Sequence, residues 1–533
     1  MKKTLFFAAV AALLCAFACT KEVDEFVPQP QSLHKVFTAV ISSPATRTSL
    51  DLSDGSIGWE YGDEITVTDA LSNTAIYTCT DASAGTFEYS SGDDLGDGPY
   101  SATYGEAPAF AQTYSTTQGR LPMTAESSSE VLTFTVTCGL LRVNIKADGI
   151  AIKSVAVSDG SDTYTLTSTD PVTTSATGTP FYIAVPAGSY TAFAITDDED
   201  RFCTKKIQEG KSFSVAANTI QGISFADPAF GPKYLCFTAE EDGSTVGMAI
   251  NGTLSSVPSL EYCTDKISWN PFIIGSTIVT LTNAGDKVYF RNSGTADSFS
   301  ESSKYAYFVL TGKVAASGNV MSLLDKTCQA TAVPQYAFLK LFQNCSSLTK
   351  APDLPATTLA PACYDRMFLH CSSLPEAPEL PATTLDKLCY EQMFSYCTSL
   401  IEAPELLATS LSYRCYKQMF YCCTSLIEAP ELPATSLAED CYKQMFSFCT
   451  SLTKAPELPA TSLANHCYEE MFKRCNNLSY VKCLATNISA SSCLTNWLNG
   501  VASSGTFVKK TSMNDWPSGD SGIPSGWTVE DAN

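Results

Sequence analysis

The apolar and polar positions follow two different patterns along the chain. Residues 36–226 alternate short apolar and polar runs with Gly, Asp and Ser clusters, as in Glu64–Thr68 and Phe181–Val185. Alternation of this kind, interrupted by turn residues at close spacing, is typical of antiparallel β-sandwiches. We predict one sandwich half over 36–128 and a second over 129–226.

A proline- and glycine-rich link, Asp227–Pro232, follows the second half and predicts a domain boundary. The runs Tyr234–Ala239 and Lys287–Arg291 read as further strands. The sequence therefore predicts another β-sandwich domain over 233–327.

From residue 337 the chain repeats every 26 residues. A fixed period in this range is typical of a solenoid, in which each coil buries its apolar face against its neighbours. We predict six coils over 328–492 and a C-terminal cap over 493–533. The predicted repeat core consists of Phe368, Phe394, Phe420, Phe446, Phe472, Cys371, Cys397, Cys423, Cys449 and Cys475.

Within one coil, apolar residues recur at the spacing of one helix face. They are Leu385, Cys389, Met393, Phe394 and Cys397. The next stretch, Leu400–Leu406, contains a proline that excludes helix. We expect each coil to pair a helix with a short, disturbed parallel strand, which makes an α/β leucine-rich-repeat solenoid.

The N-terminus has the pattern of a secretory signal peptide over residues 1–18. Lys2 and Lys3 precede the apolar run Leu5–Leu14, which is too short to span a bilayer. The run Ala16–Cys19 resembles a bacterial lipobox. That resemblance implies that Cys19 is lipidated and anchors the chain to a membrane. Plain cleavage and secretion is the alternative.

Residues 19–35 read as an acidic tether. Their start, Thr20–Glu25, resembles the acidic export signal of lipoproteins on the outside of Gram-negative outer membranes. The resemblance implies an outer-membrane, lipid-anchored protein that faces the cell exterior.

Two family resemblances cover most of the remaining chain. Residues 36–225, about 190 in all, are similar to fimbrillin-like surface proteins. The similarity rests on the segments Thr46–Leu50, Gly58–Ile65, Cys138–Val143, Pro180–Gly188 and Asn218–Ile220. The repeated Met-Phe-x-x-Cys-x-Ser-Leu text resembles BspA-like leucine-rich repeats. These resemblances imply sandwich halves that carry a repeat head, and adhesion to host matrix proteins or to other cells.

Composition narrows the function further. The chain has 533 residues, with 33 basic against 55 acidic side chains and a net charge of -22. Nucleic-acid binding needs clustered Lys and Arg, so we expect no nucleic-acid partner. The three histidines, His34, His370 and His466, lie far apart in sequence and argue against metal and general-base chemistry.

The 22 cysteines leave two interpretations open. Cys389 and Cys397 would lie about 12 Å apart on one helix, beyond the reach of a disulfide. Zinc pairs of the C-x₂₋₄-C type with histidine are absent. Stacked columns of buried free thiols are one interpretation, and occasional coil-to-coil disulfides are the other. The adjacent pair Cys422 and Cys423 falls under the same alternatives.

Carboxylates form a second periodic series on the extended stretch. They are Asp353, Glu379, Glu405, Glu431 and Glu457, with Glu376, Glu402 and Glu428 beside them. Stacked coils would place them ~5 Å apart. A solvated face is one explanation, and a binding stripe for a cationic surface or a divalent ion is the other. Lys350 and Lys454 occupy the same repeat position as Glu376.

Three further motifs favour no function. Trp269 could stack on a carbohydrate but is more simply a core or rim residue. Gly519–Gly522 has the sequence found around the nucleophile of trypsin-like proteases, but the histidine and aspartate arrangement that such an enzyme requires is not evident. Asp93–Gly98 begins like a calcium loop, but Leu95 stands at a ligand position.

Together these observations predict a non-enzymatic surface lipoprotein, expected to be a monomer without catalytic residues, metal or cofactor. The repeat head would bind a matrix or bacterial surface protein or glycan. Two alternatives stay open. One is a glycan-capture lipoprotein for nutrient uptake, with exposed aromatics around Trp269 or Tyr61. The other is a fimbrial accessory or tip subunit with an open strand groove in residues 36–225.

Overall fold

The computed structural model describes residues 34–41, 59–105, 111–113, 123–208, 212–217, 219–294 and 299–532. The predicted signal peptide 1–18 and Cys19 lie outside these residues. The described residues form two compact units, one from those within 1–105 and 123–135 and the other from those within 106–122 and 136–533. Strands are numbered in chain order through both units.

The first unit is a sheet of seven strands that closes on itself, in the order β1-β4-β3-β2-β5-β7-β8. A parallel pairing of β1 with β8 completes the closure. The predicted division at residue 128 falls between β7 and β8 of this one sheet. The strands are β1 (Phe37–Ile41), β2 (Glu64–Thr68), β3 (Thr74–Asp81), β4 (Thr86–Gly92), β5 (Tyr100–Tyr104), β7 (Met123–Ser127) and β8 (Val131–Val136).

Alternation along these strands fills the centre of the closed sheet with aromatic rings, since every second side chain points inward. Trp59 lies among Phe87, Tyr104 and Phe134, with ring centroids 4.9 to 5.4 Å apart in edge-on contacts. Its indole N–H donates to the carbonyl of Ala39 at 2.8 Å. The buried Trp therefore keeps its one polar group satisfied.

The second unit begins with a β-sandwich. A five-stranded sheet, β15-β14-β10-β11-β6, and a three-stranded sheet, β12-β9-β17, share one buried core, and β13 pairs with β16 beside them. The strands are β6 (Ala111–Thr113), β9 (Cys138–Lys146), β10 (Ala151–Ser158), β11 (Thr163–Thr173), β12 (Thr179–Pro186), β13 (Gly188–Tyr190), β14 (Ala192–Asp197), β15 (Phe202–Lys206), β16 (Phe213–Val215) and β17 (Ile220–Ala226).

A second pair of sheets follows, with orders β21-β20-β23-β18-β26-β28 and β22-β19-β25-β24. Asp200 of the preceding sandwich pairs with Lys287 of this part at 2.7 Å and with Lys153 at 3.3 Å. The strands are β18 (Leu235–Ala239), β19 (Ser244–Asn251), β20 (Leu260–Cys263), β21 (Asn270–Phe272), β22 (Ile278–Leu281), β23 (Lys287–Asn292), β24 (Ser300–Glu301), β25 (Lys304–Thr311) and β26 (Val314–Ser317).

The six-stranded sheet continues directly into the repeats. Its last strand, β28, belongs to the first coil and pairs in parallel with β26, with Val314 opposite Leu348. One hydrophobic core accordingly runs from Leu235 through all the coils to Trp527. The remaining elements are the 3₁₀ helix η1 (Val320–Leu323) and strands β27 (Ala332–Val333), β28 (Leu348–Lys350), β29 (Thr358–Leu359), β30 (Tyr480–Cys483), β31 (Gly505–Lys510) and β32 (Trp527–Ala532).

The prediction of an α/β leucine-rich-repeat solenoid is wrong. The described residues contain no α-helix, and η1 is their one helical element. The segment Leu385–Cys397 is instead a chain of turns in which Leu388, Gln392 and Tyr396 have φ of 59°, 54° and 62°. Every fourth residue is therefore in the left-handed region, where an α-helix cannot continue.

Hydrogen bonding explains why this backbone replaces a helix. Alternate amides bond three residues back within the turn, as Met393 does to Tyr390 at 3.3 Å. The others donate to the next coil, as Phe394 does to Met419 at 2.9 Å and Tyr396 to Tyr421 at 2.7 Å. A left-handed residue costs roughly 1–2 kcal/mol, and the bonds to the neighbouring coil offset that cost.

The stretch opposite the turns is extended but poorly paired. Glu376, Glu402 and Glu428 meet through single parallel bridges rather than continuous ladders. Prolines such as Pro404 and Pro430 remove amide donors from this stretch, so longer ladders cannot form.

Candidate functional site

Two columns of carboxylates follow the extended face of the coils, which we define as the bridge-forming stretches opposite the turns. The inner column consists of Glu376, Glu402 and Glu428, each exposed and bridged to the next at one strand spacing. The outer column consists of Asp353, Glu379, Glu405, Glu431 and Glu457. The two columns place like charges close together on one exposed surface.

Lysines neutralise the ends of both columns. Lys233 lies 3.2 Å from Asp353, and Lys482 lies 2.8 Å from Glu457. Lys350 and Lys454 occupy the inner-column positions before Glu376 and after Glu428.

The middle carboxylates have no such partner. No ion pair joins any of them to another described residue. These six, which we call the acidic patch, are Glu376, Glu379, Glu402, Glu405, Glu428 and Glu431.

Apolar side chains stand beside the acidic patch. Ile401 and Ile427 are 44% and 53% exposed, although both are large hydrophobic residues. With Glu402, Glu428 and neighbouring alanine and proline residues they line a groove of about 440 Å³. The surface thus combines negative charge with exposed apolar area.

The predicted repeat-core residues lie in the interior. Phe342, Phe368, Phe394, Phe420, Phe446 and Phe472 form a column with ring centroids 5.3 to 5.8 Å apart and planes within 8° of parallel. A second column consists of Phe338, Tyr364, Tyr390, Tyr416, Tyr442, Tyr468 and Trp497. The coils are therefore held in register by two aromatic columns.

Cysteine thiols tie each coil to the one before it. Cys423 Sγ donates to the carbonyl of Phe394 at 3.1 Å, and Cys449 Sγ donates to that of Phe420 at the same distance. The same bond recurs for Cys371, Cys397 and Cys475 at 3.0 to 3.2 Å. A thiol fits here because it is small, apolar and still a weak donor.

Burial makes the thiols of this column unreactive. All twenty described cysteines are unpaired, Cys422 and Cys423 among them. Burial raises the pKa of Cys397 and Cys475 to about 12 and that of Cys423 well above its usual range. Since the thiolate is the reactive form, this column contributes packing rather than chemistry.

The turn face carries a hydrogen-bonded row that the predicted helix obscured. Gln392 Nε2 donates to Gln418 Oε1 at 2.8 Å, and Gln418 donates to Gln444 at 2.9 Å. At one end, Arg366 Nε donates to Gln392 Oε1 at 3.1 Å. At the other end, Gln444 Nε2 donates to Glu470 Oε2 at 2.7 Å. We call this row the amide ladder. Its 26-residue step is visible in the sequence and could have identified it.

Beside the amide ladder lies a network of alternating charges. Lys417 pairs with Glu391 at 3.3 Å, and Arg414 pairs with Asp440 at 2.9 Å. Asp365, which is 5% exposed, pairs with Arg366 at 2.9 Å. Burial raises the pKa of Asp365 to about 7, against the opposing effect of the Arg366 charge.

One group in the described chain has metal-ligand geometry. The ligand atoms of Asp440, His466 and Glu469 lie within 4.8 Å of one another. However, Lys443 lies 3.0 Å from Glu469, and Arg414 lies 2.9 Å from Asp440. The protein's own cations therefore already neutralise this group.

The other candidates have structural roles. The guanidinium of Arg291 lies 4.0 Å from the ring centroid of Trp269, and Phe202 and Tyr234 also contact that ring. Tyr61 is 82% exposed and belongs to the first unit. Neither residue forms part of an exposed aromatic cluster among the described residues.

The two remaining motifs, Gly519–Gly522 and Asp93–Gly98, are held in place by contacts with other parts of the chain. Ser521 Oγ accepts a bond from the amide of Asn496 at 3.0 Å, which ties the tail to the last turns. In the acidic turn, Asp94 pairs with His34 at 2.9 Å and Asp97 pairs with Lys35 at 3.0 Å. These contacts account for both motifs as structure.

Comparisons with known proteins identify partial likenesses. No protein-family model matches the chain, and no curated protein matches it. A fimbrial protein from Bacteroides ovatus is 12% identical with a TM-score of 0.22, and the match covers 38% of this chain and 52%, about half, of that one. A candidate cell adhesion protein from Bacteroides uniformis is 18% identical with a TM-score of 0.22, covering 37% and 95%.

The Bacillus anthracis TIE protein is 12% identical with a TM-score of 0.12, covering 53% of this chain and 44% of that one. Similarities with TM-scores this low assign the chain neither a family nor a function. Among the described residues, no helix has the length and apolar character to cross a membrane.

Proposed function

We propose that this protein is a non-enzymatic, cell-surface adhesion protein whose extended face binds a cationic surface on a host matrix protein or another cell. Lipidation of Cys19 would anchor it in the outer membrane, facing the exterior. The acidic patch carries this proposal.

Electrostatics favours a binding role over a merely solvated face. Glu376, Glu402 and Glu428 repel one another at one strand spacing, which costs stability. The lysines at both ends confine the unpaired charge to the middle coils. A basic partner would relieve this repulsion, and its attraction would also speed encounter.

The exposed isoleucines add the apolar contact that charge alone lacks. Ile401 and Ile427 line the same groove as Glu402 and Glu428 and would be covered by the same partner. Interfaces usually combine an apolar centre with a polar rim. The arrangement fits a protein surface better than a small ion.

The fimbrial-subunit alternative receives less support from the first unit. A strand-accepting subunit needs an unpaired sheet edge. The seven described strands of the first unit pair in a closed order, so this sheet has no such edge.

The test is solid-phase binding of the full chain to immobilised collagen, fibronectin and laminin. We expect binding to at least one of them, which weakens as salt rises from 0.1 M to 1 M, since the Debye length falls from about 10 Å to about 3 Å. The triple variant Glu376→Gln, Glu402→Gln and Glu428→Gln should bind that protein roughly tenfold more weakly.

A matched control removes the same charge elsewhere. Glu88, Glu126 and Glu240 are exposed and lie outside the extended face. Changing these three to Gln should leave binding unchanged. Equal weakening by both triple variants would show a general charge effect, and unchanged binding in the first would overturn the proposal.

A further inference from the structure

A second exposed surface lies on the turn face of the coils. Left-handed residues recur there every four residues and every 26 residues, and two of their rows have exposed or half-buried side chains. One row of them is the amide ladder. The next row, four residues further along each coil, contains His370, Tyr396, Cys422 and Phe448.

This second row forms a continuous strip of rings. His370 stacks on Tyr396 with centroids 4.4 Å apart, and Tyr396 contacts Tyr421 at 5.5 Å. Tyr421 contacts Phe448 at 5.6 Å. We call His370, Tyr396, Tyr421 and Phe448 the aromatic strip.

Tyr421 completes the strip at the one of its four coils whose row residue, Cys422, lacks a ring. Its position is filled by the buried Ser395 and Ser447 in the neighbouring coils. The tyrosine ring lies at 60° to Tyr396 and 63° to Phe448, turned out of the parallel stack. The strip is thus unbroken across four coils although Cys422 interrupts the repeat.

The strip is also accessible. Tyr396 is 38% exposed, His370 is exposed, and Tyr421 and Phe448 are half-buried. Contiguous exposed apolar surface, unlike single scattered residues, is typical of interaction sites.

The amide ladder beside the strip keeps unused hydrogen-bonding capacity. A glutamine amide has two N–H donors and an oxygen with two lone pairs. Within the ladder, Gln418 donates one hydrogen bond to Gln444 and accepts one from Gln392. Each ladder glutamine therefore retains one donor and one acceptor in fixed orientation.

The two rows carry no charged side chain in the middle three coils. The residues that precede the strip row there, Ser395, Tyr421 and Ser447, are also uncharged, and both serines are buried. Charged row residues stand only at the ends, with Arg366 in the second coil and Glu470 and Arg474 in the sixth. The cations that flank the ladder in the middle coils, Arg414, Lys417 and Lys443, each pair with a carboxylate of the protein.

From this arrangement we infer that the amide ladder and the aromatic strip form a binding surface for a neutral polysaccharide chain lying along the coils. A sugar ring has an apolar face of C–H bonds and a rim of hydroxyl groups. The rings would pack against that face, and the paired donor and acceptor of each glutamine would bind neighbouring hydroxyls. In the three coils that contain Gln392, Gln418 and Gln444, one ring and one amide recur per coil, which fits a ligand that is itself a repeating chain.

The experiment is affinity gel electrophoresis of the full chain in gels that contain soluble starch, laminarin, mannan or, as charged counterparts, heparin and hyaluronan. We expect retardation by at least one neutral polysaccharide. The double variant Tyr396→Ala and Tyr421→Ala should weaken this binding at least tenfold. The variant Tyr413→Ala is the control, because Tyr413 is 37% exposed on the same coils but lies outside the strip.

Circular dichroism of each variant checks that the fold is intact, and Gln418→Ala provides a second probe of the same surface. Retardation by no neutral polysaccharide, or by the charged ones alone, would overturn the inference. So would equal binding by the double variant and the wild type. The Glu376, Glu402 and Glu428 triple variant should retain polysaccharide binding, so failure here is distinguishable from failure of the proposed adhesion surface.

Discussion

Gln392 Nε2 donates a 2.8 Å hydrogen bond to Oε1 of Gln418, one coil further along the chain. The bond gives the amide ladder a direction, because every donor points toward the C-terminal coils. A group that only donates at one end and a group that only accepts at the other match the direction of such a row. Arg366 and Glu470 are such groups, and they occupy the two ends.

Replacing Gln418 by Glu should destabilise the protein by about 1–2 kcal/mol at pH 7. The carboxylate could accept from Gln392 but could not donate to Gln444, so two acceptors would face each other. Facing an acceptor raises the carboxyl pKa in the folded state, so the lost stability should return as pH falls through that pKa. Urea unfolding at pH 5 and pH 7 measures this. The exposed Gln329→Glu change should show no comparable pH dependence, and a pH-independent loss at Gln418 would contradict the ladder.

Replacing Phe420 by Ala should cost about 3–5 kcal/mol. The ring packs between Phe394 and Phe446 at 5.8 and 5.6 Å, and its loss leaves a cavity between two coils. Phe420→Leu, which keeps most of the volume, should cost less. Chemical denaturation gives both values, and a loss below about 0.5 kcal/mol for the Ala variant would refute the aromatic column as a stabilising element.

The repeat cysteines should resist alkylation in the folded protein. Cys371, Cys397, Cys423 and Cys449 are fully buried, and burial keeps their thiols protonated at pH 8. Iodoacetamide followed by peptide mass spectrometry should find these residues unmodified before unfolding and fully modified after it. Peptides joined by disulfides would instead support the coil-to-coil bridges that the sequence left open.

Stability should depend on the ionisation of Asp365. Burial raises its pKa to about 7 from an ordinary value near 3.8, so the folded state holds this proton more tightly than the unfolded state. The stability from this group is present below pH ~4 and is lost as pH rises through about 7. Asp365→Asn should therefore stabilise the protein at pH 8 by about 2 kcal/mol relative to its effect at pH 5. Asp386→Asn, at an exposed position, should leave the pH profile unchanged.

Anchoring should depend on Cys19. In cells that export the full chain, Cys19→Ala should abolish metabolic labelling with a radioactive fatty acid and move the protein from the membrane fraction to the soluble fraction. Continued labelling of the variant would place the lipid elsewhere, and an unlabelled wild type would favour plain cleavage and secretion.

The 26-residue step of the sequence identified which residues share a column, and the Phe394 and Cys397 columns lie in the interior. The backbone between them could not be predicted in the same way. Leu385, Cys389, Met393 and Cys397 are four residues apart, which suits a helix face of 3.6 residues per turn and a four-residue turn equally well. The left-handed residues that decide between the two are Gln392 and Tyr396, and neither is a glycine that would signal the turn.

The acidic columns and the aromatic strip also differ in whether the sequence could predict them. The acidic columns could be predicted because a repeated extended stretch stacks its side chains whatever lies opposite. The aromatic strip could not be predicted, because Cys422 occupies the repeat position in this coil and the ring belongs to Tyr421, one residue before it. In the folded chain that ring lies between Tyr396 and Phe448.

The direction of the amide ladder also bears on how such a chain can lengthen over generations. A copied coil that carries a glutamine at the ladder position would receive a bond from the coil before it and pass one to the coil after it. Duplication within the gene could therefore add or remove whole coils between Arg366 and Glu470, while the two charged termini, and the domains attached to them, stay as they are.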